Sequence, residues 1–241
     1  MVLKLDDSFG SRRDVVIVTH GLFAGRRSMQ PLCRAVVEAG YECVNWGYPS
    51  LSGSIAHHAA QFSELLREHF ERPDVHRVHL IAHSMGGIVA RAALSQSRLE
   101  SRLPAKCGRL VMLAPPNRGS HLTRMPLGPL SCWFPQVREL SEDPESLVNQ
   151  LPEPRRMHVA VIAAARDFVV SVQSTRLACQ RDHHVLPTTH QRLAAHPDAI
   201  RMALQFVRCG RLSDSSSSAT VRFDPKRGQP SAPIASSRNA A

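Results

Sequence analysis

Five short, almost unbroken apolar runs recur along the 241-residue chain, at 14–19, 41–46, 76–82, 109–114 and 157–164. Each is shorter than a globular helix and too continuously apolar for a strand with one wet face, so each reads as a strand buried on both sides. Segments with a helical period lie between them. Ser28 is placed to cap one that runs to Ala39 and stops at Gly40, and Ser54 to cap another that carries Phe62, Leu65, Leu66 and Phe70 up to Pro73. A third covers 86–95, and a fourth, 197–208, sets Ile200, Ala203, Leu204 and Val207 on one stripe. Strand and helix in alternation predict an α/β fold, a mostly parallel sheet with helices on both faces.

Two stretches break the alternation. Residues 116–156 hold seven prolines and little periodicity, yet Leu127, Leu130, Trp133, Phe134, Val137, Leu140, Leu147 and Val148 are too apolar for a disordered loop. They predict an insertion of short helices lying over the sheet edge. From residue 211 to 241 the composition turns to eight serines and three prolines, which predicts a disordered tail after a domain spanning 1–210.

Charge and composition narrow the function classes. The formal net charge of +10 raises the question of a nucleic-acid partner, but the arginines are scattered singly or in pairs, with no interleaved aromatics and no recognisable nucleic-acid motif, so no such partner is expected. No apolar run approaches the ~18–20 residues of a membrane-spanning helix. The first ten residues lack the charged start and apolar stretch of a secretory signal, which leads to the expectation of a cytoplasmic protein. The six cysteines stand at least ten residues apart and read as free thiols. No metal site is expected. His57 and His58, like His183 and His184, are adjacent pairs whose side chains diverge, and His79 and His83 are four apart on a strand rather than on a helix.

The third apolar run leads directly into Ala82-His83-Ser84-Met85-Gly86-Gly87 and then into helix. A serine on so sharp a strand-to-helix turn has its hydroxyl lifted clear of the sheet at the positive end of the helix, and the turn needs small residues on both flanks, here Ala82 and Gly86. With His20-Gly21-Leu22 after the first strand, Ala114-Pro115-Pro116-Asn117-Arg118-Gly119-Ser120 after the fourth, and Thr189-His190 near the end, the chain resembles the α/β-hydrolase superfamily over about residues 12–208. The likeness is strongest to its small bacterial lipase and esterase branch.

That resemblance implies a nucleophile, Ser84, and an oxyanion hole made by the backbone N–H groups of Leu22 and Met85. It also implies an acid and a histidine base later in the chain, in that order. Asp167, just after the fifth run and followed by apolar residues, matches the family's acid loop; Asp182 is its competitor, and Asp143 lies in the insertion. His190 follows the short apolar piece at 185–186, where the family's base sits, whereas His183, His184 and His196 fall before or after that loop.

The expected activity is cleavage of a small-molecule acyl ester through an acyl-enzyme, with no cofactor. Trp133 and Phe134 in the lid-like insertion are the expected acyl-chain contacts. A transient contact with a lipid surface also belongs to the expectation, and the oligomeric state is left open. An acyltransferase or thioesterase would use the same triad, and a silent hydrolase fold acting as a binding module would be expected to lack one of its members.

Overall fold

The computed structural model describes residues 13–96, 106–121 and 135–213. Six strands form one sheet: β1 (Arg13–Thr19), β2 (Glu42–Trp46), β3 (Val75–His83), β4 (Cys107–Leu113), β5 (His158–Ala164) and β6 (Gln180–Leu186), in the order β2-β1-β3-β4-β5-β6. Every neighbouring pair is parallel. Helices α1 (Gln30–Glu38), α2 (Ile55–Glu71), α3 (Met85–Leu94) and α6 (Pro197–Cys209) cover the faces, and two short helices, α4 (Pro135–Glu139) and α5 (Leu147–Gln150), lie within the 116–156 segment.

The period of two along each strand divides the core. Val15 and Ile17 of β1 and Val78 and Leu80 of β3 pack on one face with Ile55, Phe62 and Leu66 of α2 and Ile88 and Val89 of α3. Val16 and Val18, Ile81, Val111 and Ile162 pack on the other with Leu32 and Val36 of α1 and Met202 and Phe206 of α6. Central strands need apolar residues at consecutive positions for this reason, and that is why their runs stand out in the sequence.

The departures have local causes. β6 is longer than the apolar piece at 185–186 because it is an edge strand, whose polar residues Gln180, Arg181, Asp182 and His183 need not be buried while their backbone pairs with β5. Ser28 does not cap α1. It lies inside a 3₁₀ turn (Arg26–Met29) and its Oγ donates to Gly25 O at 2.8 Å, while Pro31 sets the start of the helix. Ser54 does cap α2, accepting from His57 N at 3.1 Å.

The described part of the 116–156 segment is anchored. Val137, Leu140 and Val148 are buried, Glu139 accepts from Ile55 N at the start of α2, and Gln136 Nε2 donates to Gly53 O. Trp133 and Phe134 lie outside the described residues. Packing also continues past 210: Leu212 is buried and its N–H donates to Asp182 at 2.8 Å, so a tail set to begin at 211 starts too early. Residues 214–241 lie outside the described residues. Among those described, Cys33, Cys43, Cys107, Cys179 and Cys209 carry free thiols, and no helix is long and apolar enough to cross a membrane.

Candidate active site

The register of the central strands, Thr19 opposite Ala82, His83 opposite Leu113 and Leu113 opposite Ile162, lines up their carboxyl ends. Loops leaving β3, β5 and β6 therefore meet at one edge. Ser84, at the junction of β3 and α3, takes φ 53° and ψ −127°, a backbone that a non-glycine residue adopts only under constraint. Its own N–H is tied to Leu113 O at 2.8 Å.

The constraint needs glycine around it. A Cβ on Gly21 would stand 2.6 Å from Ser84 Cβ, and one on Gly86 would stand 2.4 Å from the carbonyl oxygen of His20. These two glycines let the loop after β1 run against the turn. Leu22 is the residue that follows Gly21, and Met85, the first residue of α3, has an N–H that no earlier turn of the helix can use.

Three side chains form a hydrogen-bonded line. Ser84 Oγ donates to His190 Nε2 at 2.9 Å, and His190 Nδ1 donates to Asp167 Oδ2 at 2.7 Å. The partners dictate the tautomer, because a carboxylate only accepts, so the imidazole proton sits on Nδ1 and leaves Nε2 as acceptor. Asp167 is held in turn: its Oδ1 accepts from the N–H groups of Val169 and Val170 at 2.8 and 2.9 Å, and its side chain is only 2% exposed. Asp182 lies elsewhere, in the first half of β6, where it accepts from the N–H groups of His183 and Leu212.

Residues whose roles sequence reasoning missed brace this line. His83 is buried, and its Nε2 donates to the carbonyl of His190 at 3.0 Å, with the two rings 5.0 Å apart. Burial is the main cause that pushes its pKa down to about 3, so the ring is neutral. The loop carrying Asp167 is pinned by Ser120 Oγ and His121 N, both donating to Val169 O, and Asn117 Nδ2 donates to Thr175 O. On the other side, His20 donates from Nδ1 to Gly21 O, accepts from Tyr48 N on Nε2, and stacks on the Tyr48 ring at 4.6 Å. Its pKa is lowered, chiefly by burial. His20, Asn117 and Ser120 lie in the stretches that carry the family resemblance, and His83 adjoins the serine, so their positions were marked though their roles were not; Tyr48 carries no mark in the sequence.

Comparison with known proteins agrees with this arrangement of strands and helices. The model of the alpha/beta hydrolase family matches residues 15–227. The chain belongs to that family. No curated protein matches it. Among solved structures it is similar in fold to the mature lipase BlEst2 of Bacillus licheniformis (TM-score 0.61, 15% identity, 82% of this chain and 91% of that one). It is also similar to lipase B of Aspergillus fumigatus (TM-score 0.67, 15% identity, 85% and 55%) and to phospholipase PlaB of Legionella pneumophila (TM-score 0.60, 17% identity, 82% and 59%). The chain spans a little over half the length of the latter two. Among the described residues of this hydrolase-family chain, no group of three histidine, cysteine or acidic side chains is arranged to hold a metal ion.

Proposed function

We propose that the protein is a serine carboxylic-ester hydrolase acting on acyl or lipid esters. The observation that carries the reading is the unbroken hydrogen-bonded line from Ser84 Oγ through His190 to Asp167, with the serine on a strained turn. Ser84 Oγ attacks the ester carbonyl while its proton passes to His190 Nε2, and Asp167 stabilises the imidazolium that forms. The N–H groups of Leu22 and Met85 bind the oxyanion of the tetrahedral intermediate, helped by the N-terminal end of α3. Collapse breaks the carbonyl-to-alkoxy bond, and His190 returns its proton to the leaving alcohol. Water then attacks the acyl-enzyme by the same route and regenerates the serine.

Trp133 and Phe134 belong to this reading as contacts for the acyl chain in a lid over the crevice. The test is a series of nitrophenyl esters from acetate to long-chain acyl, alongside an emulsified triglyceride. Hydrolysis should be lost in Ser84→Ala, and Trp133→Ser/Phe134→Ser should lower kcat/KM for long chains at least about tenfold more than for acetate, given ~0.8 kcal/mol per buried methylene. Ester turnover by Ser84→Ala at the wild-type rate would refute the mechanism, and equal losses for short and long chains would remove the lid.

A further inference from the structure

Away from Ser84, two thiols meet where α1 folds back on β2, the edge strand at the opposite end of the sheet from β6. Cys33 and Cys43 stand ten positions apart in the chain, and the turn at Gly40 (φ 86°) brings them level. From Gly40 back to Cys33 the helix rises seven residues at about 1.5 Å each, and from Gly40 on to Cys43 the strand advances three residues at about 3.3 Å each. Each thiol therefore lies about 10 Å from the turn.

Alternation along the strand turns both side chains into the same space. Val44 and Trp46 pack on the face covered by α2 and α3, so Cys43, which precedes Val44, points to the other face, where α1 lies. Cys33 stands one turn before the buried Val36 on α1, and both cysteines pack at the margin of that second core without being fully buried. There the Cys43 thiol donates a hydrogen bond to the Cys33 sulfur.

This contact divides the work of the two sulfurs. A thiolate on Cys33 keeps the Cys43 S–H as its donor, which lowers the Cys33 pKa, while the same bond and partial burial push the Cys43 thiol up. Cys33 is thus the sulfur that ionises first and attacks, and Cys43 is the one held in reserve beside it. Cys107 and Cys179 differ, since burial is the first cause that pushes each of those thiols up to about 11.

We propose that Cys33 and Cys43 are a redox modification site, at which a low-molecular-weight disulfide oxidises the pair to a reversible Cys33–Cys43 disulfide that clamps β2 to α1. The Cys33 thiolate attacks one sulfur of the oxidant, forming a mixed disulfide and releasing one thiol. Cys43 then gives up its proton, its sulfur attacks Cys33 Sγ, and the second thiol leaves. Two electrons and two protons pass from the protein to the oxidant, which ends as two thiols. The clamp falls where the sheet is least held, because β2 has β1 as its one strand neighbour. The loop after β2 carries Tyr48, whose N–H and hydroxyl donate to His20 Nε2 and His20 O, so a held β2 also holds the loop after β1.

The test equilibrates the full chain with reduced or oxidised glutathione, alkylates the remaining thiols in denaturant and maps unreduced peptides by mass spectrometry; cleavage after Arg34 separates the two cysteines. Oxidised glutathione should link the Cys33 peptide to the Cys43 peptide, and dithiothreitol should undo the link. Closing a loop of about ten residues should raise the melting temperature by about 5–10 °C over the reduced protein. Cys33→Ser and Cys43→Ser should show no such rise. Cys43→Ser should retain one glutathione on Cys33, because the resolving thiol is gone, and Cys33→Ser should take up glutathione on Cys43 at least about tenfold more slowly.

Two thiols still open to alkylation after oxidised glutathione, a link from either of them to a different cysteine, or a linked protein that melts no higher than the reduced one would overturn the proposal. So would an equal rise in Cys33→Ser. The measurement reads thiols and unfolding and needs no turnover, so its outcome is independent of the ester-hydrolase reading.

Discussion

Gly86→Ala perturbs the candidate site through the backbone alone. The new Cβ would lie 2.4 Å from the carbonyl oxygen of His20, 3.2 Å from its carbonyl carbon and 3.0 Å from Thr19 Cγ2. Ordinary contact needs about 3.4 Å, so α3 and the end of β1 must part by about 1 Å. None of the nearest atoms is the free end of a flexible side chain; two belong to the main chain, and Thr19 is in register with Ala82 on β3. The strand therefore resists, and the loop after it, with Gly21 and Leu22, takes up the displacement. Overpacking of this kind costs about 1–3 kcal/mol, roughly 2–10 °C in melting temperature for a chain of this size. Moving one oxyanion donor by about 1 Å costs on the order of a hundredfold in rate. Steady-state hydrolysis of a short nitrophenyl ester, measured beside thermal unfolding, should show kcat about a hundredfold lower, with a folded protein. A variant within about threefold of wild type in kcat would mean that the loop after β1 takes no part in binding the oxyanion.

Other changes separate roles at the same edge. Asp167→Asn should lower kcat by about a thousandfold or more, whereas Asp182→Asn should leave it within about threefold and cost about 1–2 kcal/mol of stability, because its partners are backbone N–H groups of β6 and Leu212; the reverse order in an ester assay would move the acid to Asp182. His83→Phe keeps an aromatic ring but removes the donor to the carbonyl of His190, and kcat should fall about tenfold with KM little changed; an unchanged kcat would show that His190 is held without it. His79 and His83 are buried and neutral, with folded pKa values of about 4 and about 3 against about 6.5 unfolded. Lowered histidine values mean that the unfolded chain takes up protons first, so stability is full above about pH 6.5 and falls as pH drops from there toward 4. Chemical denaturation at pH 7 and pH 5 should differ by roughly 3 kcal/mol, and a flat profile would contradict the burial of these two rings.

The fold was legible where burial forces a one-to-one relation between position and residue type. The later parts of β1, β3, β4 and β5 are buried on both faces, so their runs were readable; β6 was readable only as a two-residue piece because an edge strand tolerates Gln180 to His183. The turn at Ser84 was legible because a positive φ beside packed backbone admits few residues, and glycine at 21 and 86 is part of that requirement. Asp167 and His190 could be proposed by their place after strands, but thirteen histidines look alike until the loops meet. The supports were marked in part, since His20, Asn117 and Ser120 lie in the stretches that carry the family resemblance, but what they hold was not readable. The hydroxyl of Ser120 on Val169 O and the amide of Asn117 on Thr175 O act across chain separations of 49 and 58 residues, which no local pattern encodes. The start of α1 was misread because Ser28 turns its hydroxyl back to Gly25 O, an alternative that short polar side chains always have.

The central claim is that Ser84 is a nucleophile activated by His190 and Asp167. A fluorophosphonate probe reacts with such a serine and leaves a covalent adduct whose position peptide mass spectrometry reads directly. The account predicts one adduct, on the peptide containing Ser84, formed rapidly in the wild type, slowed about a thousandfold or more in His190→Ala and absent in Ser84→Ala. An unlabelled wild-type protein, or an adduct that persists in Ser84→Ala, would contradict it.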